Sequence, residues 1–153
     1  MARLDRMTDG EKKYLLSLSC PTFGATPWAT PPSLNKCRIC IVSSAGIHRR
    51  GDRPFEPGAS DYRIIPGSAE PNDIVMSHVS TNFDRTGFQQ DLNVTFPLKR
   101  LKELAEKGII GSVANYHYAF MGATEPQKME PAARSLAGIM KNDGVDAVLL
   151  VPV

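Results

Sequence analysis

The sequence predicts a three-layer α/β fold, a mostly parallel sheet with flanking helices. Three observations carry this expectation. Asp146–Val153 gathers Ala147, Val148, Leu149, Leu150, Val151 and Val153 with only Pro152 interrupting. A strand apolar at every position is expected to be covered on both faces, as in a parallel sheet under helices. Pro97–Lys107 sets Leu98, Leu101, Leu104 and Ala105 at helical spacing, with Lys99, Lys102, Glu103 and Glu106 facing outward. Strand-like and helix-like segments then alternate along the chain, the pattern of an α/β layer architecture. At 153 residues, 42% hydrophobic and 22% charged, the chain has the size and composition of one globular domain.

Taken in order, residues 1–35 read as an N-terminal leader packed on the α/β domain of residues 36–153. Asp9 is expected to cap a short helix through Leu18, with Tyr14, Leu15 and Leu18 as a small apolar face. Pro21, Pro27, Pro31 and Pro32 then remove backbone donors and fix φ too often for regular structure. Cys37–Ser44 is rich in β-formers and is the first strand, ending at Ala45-Gly46. Gly51, Pro54, Pro57 and Gly58 make Ile47–Ala59 a loop. Tyr62–Ile65 is a short strand, Asp73–Val79 a longer one, and the polar stretch Ser80–Asp91 crosses the surface. In the Pro97–Lys107 helix, Pro97 falls in the first turn, where its missing N–H costs nothing. Glu103 and Lys107 form an i,i+4 pair there, and Gly108 supplies the left-handed cap. Ile109–Ala114 is a short strand. Pro131–Asn142 is a second helix, with Ala132, Leu136, Ile139 and Met140 inward and Gly144 as its stop.

Bulk properties exclude several functions. A net charge of +2 with no stripe of Lys and Arg gives no nucleic-acid footprint. No apolar run is long enough to span a bilayer, and the charged first twenty residues do not form an ordinary secretory signal. Three cysteines, an odd number, suit a reducing compartment, so the expected location is the cytoplasm. Cys37 and Cys40 form a C-x-x-C inside a predicted strand. Residues three apart on a strand point to opposite faces, so the sulfurs are expected to pack rather than react. No second C-x-x-C accompanies them, and no metal site is expected. Cys20 carries no interpretable signal. Gly46, Gly111 and Gly122 do not assemble into a dinucleotide fingerprint.

The end of the sequence raises a question of its own. A doubly covered parallel strand normally feeds a loop and another covering helix, and open α/β sheets gather their reactive groups beyond the strand carboxyl ends. The chain reaches Val153 at that edge with only two helices in sight to cover the sheet. Two readings stand: a C-terminal part of the domain is missing, or the domain ends on a strand with the leader over its free face.

Several motifs bear on the choice. Ala45-Gly46-Ile47-His48-Arg49-Arg50-Gly51-Asp52 resembles the turn after the first strand in the selenoprotein B family of glycine, sarcosine, betaine and D-proline reductases. Ser77-His78-Val79-Ser80 and Asp91-Leu92-Asn93-Val94 are similar to its middle motifs. Phe96-Pro97-Leu98-Lys99-Arg100-Leu101-Lys102-Glu103-Leu104 resembles its signature helix, followed by Gly108-Ile109-Ile110-Gly111-Ser112. The resemblance is to a short bacterial branch and runs from about Lys36 to Val153. In that branch a Val-Pro-Val like Val151-Pro152-Val153 precedes selenocysteine and then a nearby cysteine. Selenocysteine is encoded by UGA, so the resemblance implies a chain truncated at an in-frame UGA, lacking its nucleophile and inactive as it stands.

The implied chemistry is reductive cleavage of a carbon–nitrogen bond in a small amino acid or amine by a selenol- or thiol-dependent oxidoreductase. A pyruvoyl cofactor on a partner subunit holds the amine as a Schiff base, and none is expected in this chain. A chalcogen anion attacks the α-carbon and a second thiol resolves the adduct. Selenium suits the step because a lower pKa supplies more of the reactive anion at neutral pH and a better leaving group. The implied partners are the amino acid or amine substrate and other reductase subunits or a thiol reductant. A different class stays open: a non-catalytic α/β interaction or small-ligand-binding subunit that truly ends at Val153.

Candidate site residues follow from position. His48 comes directly after the first strand, and with Arg49 and Arg50 it offers a fork for a substrate carboxylate; the plain alternative is an exposed polar loop. His78, at the end of the third strand, is the candidate proton donor to a leaving amine, against a satisfied core histidine. Asp84, Asp91 and Asn93 are candidate substrate contacts that equally suit fixing the long loop through side-chain to backbone hydrogen bonds. His117, between Tyr116 and Tyr118, fits packing or a partner surface.

Overall fold

In the computed structural model, which describes residues 4–18, 22, 24, 29–80 and 85–153, the β-branched run after Cys37 becomes the centre of a sheet. The strands are β1 (Arg38–Ser43), β2 (Ile47–Arg49), β3 (Arg63–Pro66), β4 (Ile74–Met76), β5 (Ser112–Val113), β6 (Tyr116–Ala119) and β7 (Ala147–Val151). The helices are α1 (Asp9–Ser17), α2 (Thr86–Gln90), α3 (Leu98–Glu106) and α4 (Pro126–Asn142). β7 runs parallel to β1 from Ile39↔Ala147 to Ser43↔Val151. That occupies one edge of β1, so β5 and β6, also parallel to it, share the other edge. β3 closes that side antiparallel to β6, while β2 and β4 pair as a separate antiparallel ribbon. The architecture is the predicted one, mixed α/β with a mostly parallel sheet between helices.

Alternation along β1 sorts the core into two faces. Cys37, Ile39 and Ile41 join Ile47, Ile65, Phe96, Leu98 and Leu101 on the α3 side. Cys40 joins Tyr118, Phe120 and Leu136 on the α4 side. The two cysteines therefore point to opposite faces, both buried and free. Helices α3 and α4 cover one face each. On α4 the stripe Met129, Ala132, Leu136 and Met140 meets the sheet. Ile139, expected inward, is 41% exposed because it lies off that stripe.

Between β5 and β6 the chain leaves the ladder, and a side chain takes its place. The Ile41 N–H donates to His117 Nδ1 at 2.9 Å, so an imidazole supplies the acceptor that a strand carbonyl would have given. Loop 53–62 is held by Arg63, which is stacked over Phe55 at 4.3 Å and donates to the Arg53 and Pro54 carbonyls and to Asp61.

Several local expectations are corrected. Thr8, not Asp9, caps α1, in a reciprocal capping box with Glu11, because the threonine hydroxyl reaches the Glu11 N–H. No residue of α1 is buried. Within the segment read as a loop, Ile47–Arg49 is strand β2, since Ile47 is needed in the core. Glu103 pairs back to Arg100 at 2.7 Å. Helix α4 starts five residues before Pro131 and carries it inside. The largest difference is β7. It is a border strand with Val148, Leu149 and Leu150 exposed at 39%, 38% and 69%, where an all-apolar run predicts double cover. No helix among the described residues is long and apolar enough to cross a membrane.

Candidate functional site

The carboxyl ends of β1, β6 and β7 converge. Phe120 N–H donates to the Ser43 carbonyl, Gly46 N–H to the Phe120 carbonyl and Gly122 N–H to the Ser44 carbonyl, at 2.8–2.9 Å. From the other side Ser44 N–H donates to the Val151 carbonyl at 3.1 Å, and Val153 N–H donates to Ser44 Oγ at 2.8 Å. Ser43 Oγ donates to the Thr95 carbonyl at 2.8 Å, tying the segment before α3 to the same edge. Two glycines make the convergence possible. A Cβ on Gly122 would lie 2.8 Å from the Ser44 carbonyl oxygen and 3.0 Å from that of Val153. Gly46 has φ +62°, and a Cβ there would meet His78 Cα at 3.0 Å.

That close approach brings His78 to the carboxyl edge. Its Nδ1 accepts the Ser80 N–H at 3.1 Å, so the neutral ring carries its proton on Nε2. Burial, and after it the Arg85 charge, hold the imidazole below the usual histidine range. Arg85 also donates to the His78 and Ser80 carbonyls, at 2.6 and 3.3 Å, bracing the backbone around the ring. The preceding Ser77 is fixed too, its N–H on the Gly46 carbonyl and its Oγ accepting Phe55 N–H.

The other candidates are spread further. His48 is buried in β2, with Nδ1 donating to the Arg49 carbonyl at 2.9 Å. Arg49 and Arg50 lie at the ribbon end away from Gly46, where Arg50 donates weakly to the Asn72 carbonyl at 3.3 and 3.4 Å. The three therefore form no single fork in this structure. Asp91 caps the 3-10 turn Leu92–Val94, accepting from Asn93 N–H at 2.9 Å and from the Asn93 amide at 2.7 Å. Those two bonds, with Arg100 and Lys99 nearby, hold its carboxyl below the usual range. Asp84 and Cys20 lie outside the described residues.

Neither described cysteine is set up as a nucleophile. Cys37 Sγ faces the Pro32 and Ser33 carbonyls. Burial, then Asp143, push the Cys40 thiol up to about 12. Sequence reasoning missed Ser43, Ser44 and Gly122; two serines and a glycine just past strand ends were the available signal. It also missed His117 as a ladder member, because nothing in a sequence announces a side chain in a backbone's place. Among the described residues no cluster of three or more His, Cys, Asp or Glu is placed to hold a metal ion.

Fold and edge together define a three-layer α/β domain whose strand carboxyl ends gather small residues beside a buried histidine, the usual place for chemistry in such sheets. Residues 4–153 match the family described as glycine/sarcosine/betaine reductase selenoprotein B. The chain belongs to that family. It is 35% identical to the D-proline reductase subunit gamma of Acetoanaerobium sticklandii over 120 residues, 76% of this chain and 49% of that one. It is 30% identical to the sarcosine reductase complex component B subunit beta of Peptoclostridium acidaminophilum, over 91% of this chain and 33% of that one. Against the glycine reductase complex component B subunit gamma of Symbiobacterium thermophilum the identity is 31%, over 96% and 35%. The chain thus spans half or less of the length of these relatives. No solved structure matches it.

Proposed function

We propose that the chain is part of a selenol- or thiol-dependent reductase complex that cleaves a carbon–nitrogen bond in a small amino acid or amine. The observation that carries this reading is the family match along residues 4–153, in a chain whose carboxyl edge gathers three strand ends and His78. Relatives named as subunits of D-proline, sarcosine and glycine reductases support the assignment to a complex.

In this reading the nucleophile is a selenol placed just after Val153, as the resemblance of Val151-Pro152-Val153 to the short branch implies; of the described cysteines, Cys37 is buried and the Cys40 thiol stays protonated at neutral pH. Ser44 fixes the Val153 amide and so aims that position. The selenolate forms a bond to the substrate carbon as the carbon–nitrogen bond breaks, and the nitrogen leaves with the electron pair. His78, with its proton on Nε2, is the group that protonates the departing nitrogen. A thiol then attacks selenium. The carbon–selenium bond breaks with its electron pair going to the substrate carbon, which takes up a proton as the reduced product leaves. The selenenyl sulfide that remains is reduced by an external dithiol. A pyruvoyl group of a partner subunit supplies the carbonyl that activates the amine. Asp91 and Asn93, on the segment that Thr95 ties to the carboxyl edge, are the proposed polar surround of the substrate, and His48 steadies the ribbon.

The coding sequence tests this directly. An in-frame TGA after Val153, followed by a cysteine codon, and incorporation of radioactive selenium into the longer product are the expected results. TAA or TAG at that codon removes the proposed nucleophile.

One observation favours a second reading, an interaction subunit without chemistry of its own: the exposed apolar middle of β7. Co-purification with reductase subunits but no selenium in the assembled complex would select it.

A further inference from the structure

Two apolar surfaces of the chain are left uncovered, one concave and one convex. The concave one is an open groove of about 530 Å3 between α4 and β7. The β1–β7 register puts Val148 and Leu150 on the face of Cys40 and Val42, which α4 covers over β1 and β6. Over β7 that cover ends, and Leu150 is left 69% exposed. Val42 and Leu150 therefore floor the groove, and Met129 and Ala133 form its helical wall. Layered α/β sheets fill such a strip, beside one helix and over an outer strand, with another helix.

The convex surface is α1. It begins in a reciprocal capping box of Thr8 and Glu11, yet none of its 9 residues is buried. A helix that short with no packed face is marginal in water, so α1 is built to pack on something. Tyr14, Leu15 and Leu18 fall on one side of it, with Tyr14 and Leu18 exposed at 62% and 51%. Lys12, three residues before Leu15, flanks that side. Glu130 stands on the rim of the groove with its side chain half exposed. The helix thus carries an apolar face with a cation beside it, and the groove an apolar floor with an anion at its rim.

We propose that α1 of one chain lies in the α4–β7 groove of a second copy, which returns the contact with its own α1. Tyr14, Leu15 and Leu18 cover Leu150 and Met129, and Lys12 comes beside Glu130. No α1 residue lines the groove of its own chain. Exchange across a two-fold axis covers the helix and the groove of both chains at once. One short helix makes a small interface, and two exchanged helices bring the pair towards the about 1,200 Å2 at which stable interfaces begin. Ser44 and Pro152 line the same groove, so the exchanged helix also walls the carboxyl edge beside Val153. The exchange rests on these two surfaces and not on the reductase reading.

The test is sedimentation velocity of the full chain over a concentration series, where a reversible dimer is expected. Leu15→Glu and Ala133→Arg should each raise its dissociation constant at least about tenfold. The denaturation midpoint should hold, since Ala133 is exposed and Leu15 only partly covered. An equal mixture of the two variants should associate again, because one chain keeps the groove and the other the helix. In a Cys20→Ser background, Lys12→Cys combined with Glu130→Cys should give, on oxidation, a disulfide that joins two chains. Leu150→Lys serves in place of Ala133→Arg if that variant does not fold. A monomer throughout the series, or no recovery on mixing, overturns the proposal. A dimer that neither variant weakens also overturns it and points to edge pairing of β7. A disulfide confined to single chains does so too, since each helix would then lie in its own groove. Selenium incorporation decides the reductase reading, so the two fail separately.

Discussion

At the scale of single residues, the arrangement turns on a few atoms that allow no substitute. Gly46 has a left-handed φ of +62° and lies against the His78 backbone. Gly46→Ala should lower stability by more than about 1 kcal/mol, since an alanine is strained there whatever space it has. Urea denaturation reads this directly, and an unchanged midpoint would refute the close approach. His117 supports a prediction about pH. Burial first, then Lys102, hold its imidazole at about 4 against a usual 6.5. Between those values the unfolded chain takes up a proton that the folded ring refuses. The unfolded state binds more protons there, so stability is full above pH 6.5 and falls as pH drops towards 4. His78, shifted in the same direction, adds to that slope. His117→Gln should flatten the profile and, at neutral pH, cost about 1–3 kcal/mol for a disturbed buried bond to the Ile41 N–H. A wild-type profile already flat across that window would show that the ring is not buried neutral. The sequence made the position of His78 and the backbone role of Asp91 legible, because one follows a strand and the other precedes Asn93. His117 was illegible because its role depends on where the ladder between β5 and β6 breaks.

At the scale of elements, periodicity did most of the work and its failures have physical causes. Leu98, Leu101 and Leu104 marked α3 within one or two residues, and Gly108, at φ +68°, ends it as expected. Helix α4 was underestimated because a proline read as a start sits inside it. Pro131 has no N–H to give the Gln127 carbonyl, and it is exposed. Pro131→Ala should therefore raise stability, by up to about 3 kcal/mol, as measured by thermal and chemical denaturation. Leu136, 2% exposed at the centre of that face, should cost about 2–5 kcal/mol when changed to alanine. Strand β7 was placed correctly and its surroundings were not. An apolar run tells that a strand seeks cover, not which layer supplies it. Its free edge, with Leu150 at 69% exposure, should make the isolated chain associate. Leu150→Lys should reduce that association in light scattering while leaving the denaturation midpoint within about 0.5 kcal/mol. Loss of fold instead would show that the side chain is needed inside.

At the scale of the whole molecule, the layer architecture was legible and the strand order was not. Alternating segments imply helices on a sheet. They do not say that β1 pairs with β7 on one side and with the broken strand β5–β6 on the other. The site was legible to the same extent, since the carboxyl edge could be named in advance but not the residues that fill it. The family relation leads to a prediction of assembly. Expressed together with the remaining subunits of a relative's reductase complex, the chain should be retained through purification. Free passage of the chain, with those subunits assembled among themselves, would argue against it.

The pairing of β1 also bears on how the chain is made. Arg38 and Asp146 are hydrogen-bonded across 108 positions, and the central strand keeps one edge bare until residues 147–151 arrive. On the ribosome, Ile39 and Ile41 emerge early and wait for a neighbour translated far later. Long-range pairing of this kind slows folding and leaves a sticky nascent segment to be shielded meanwhile. Synthesis halted upstream of Ala147 should therefore yield a product that chaperones hold rather than a smaller folded domain.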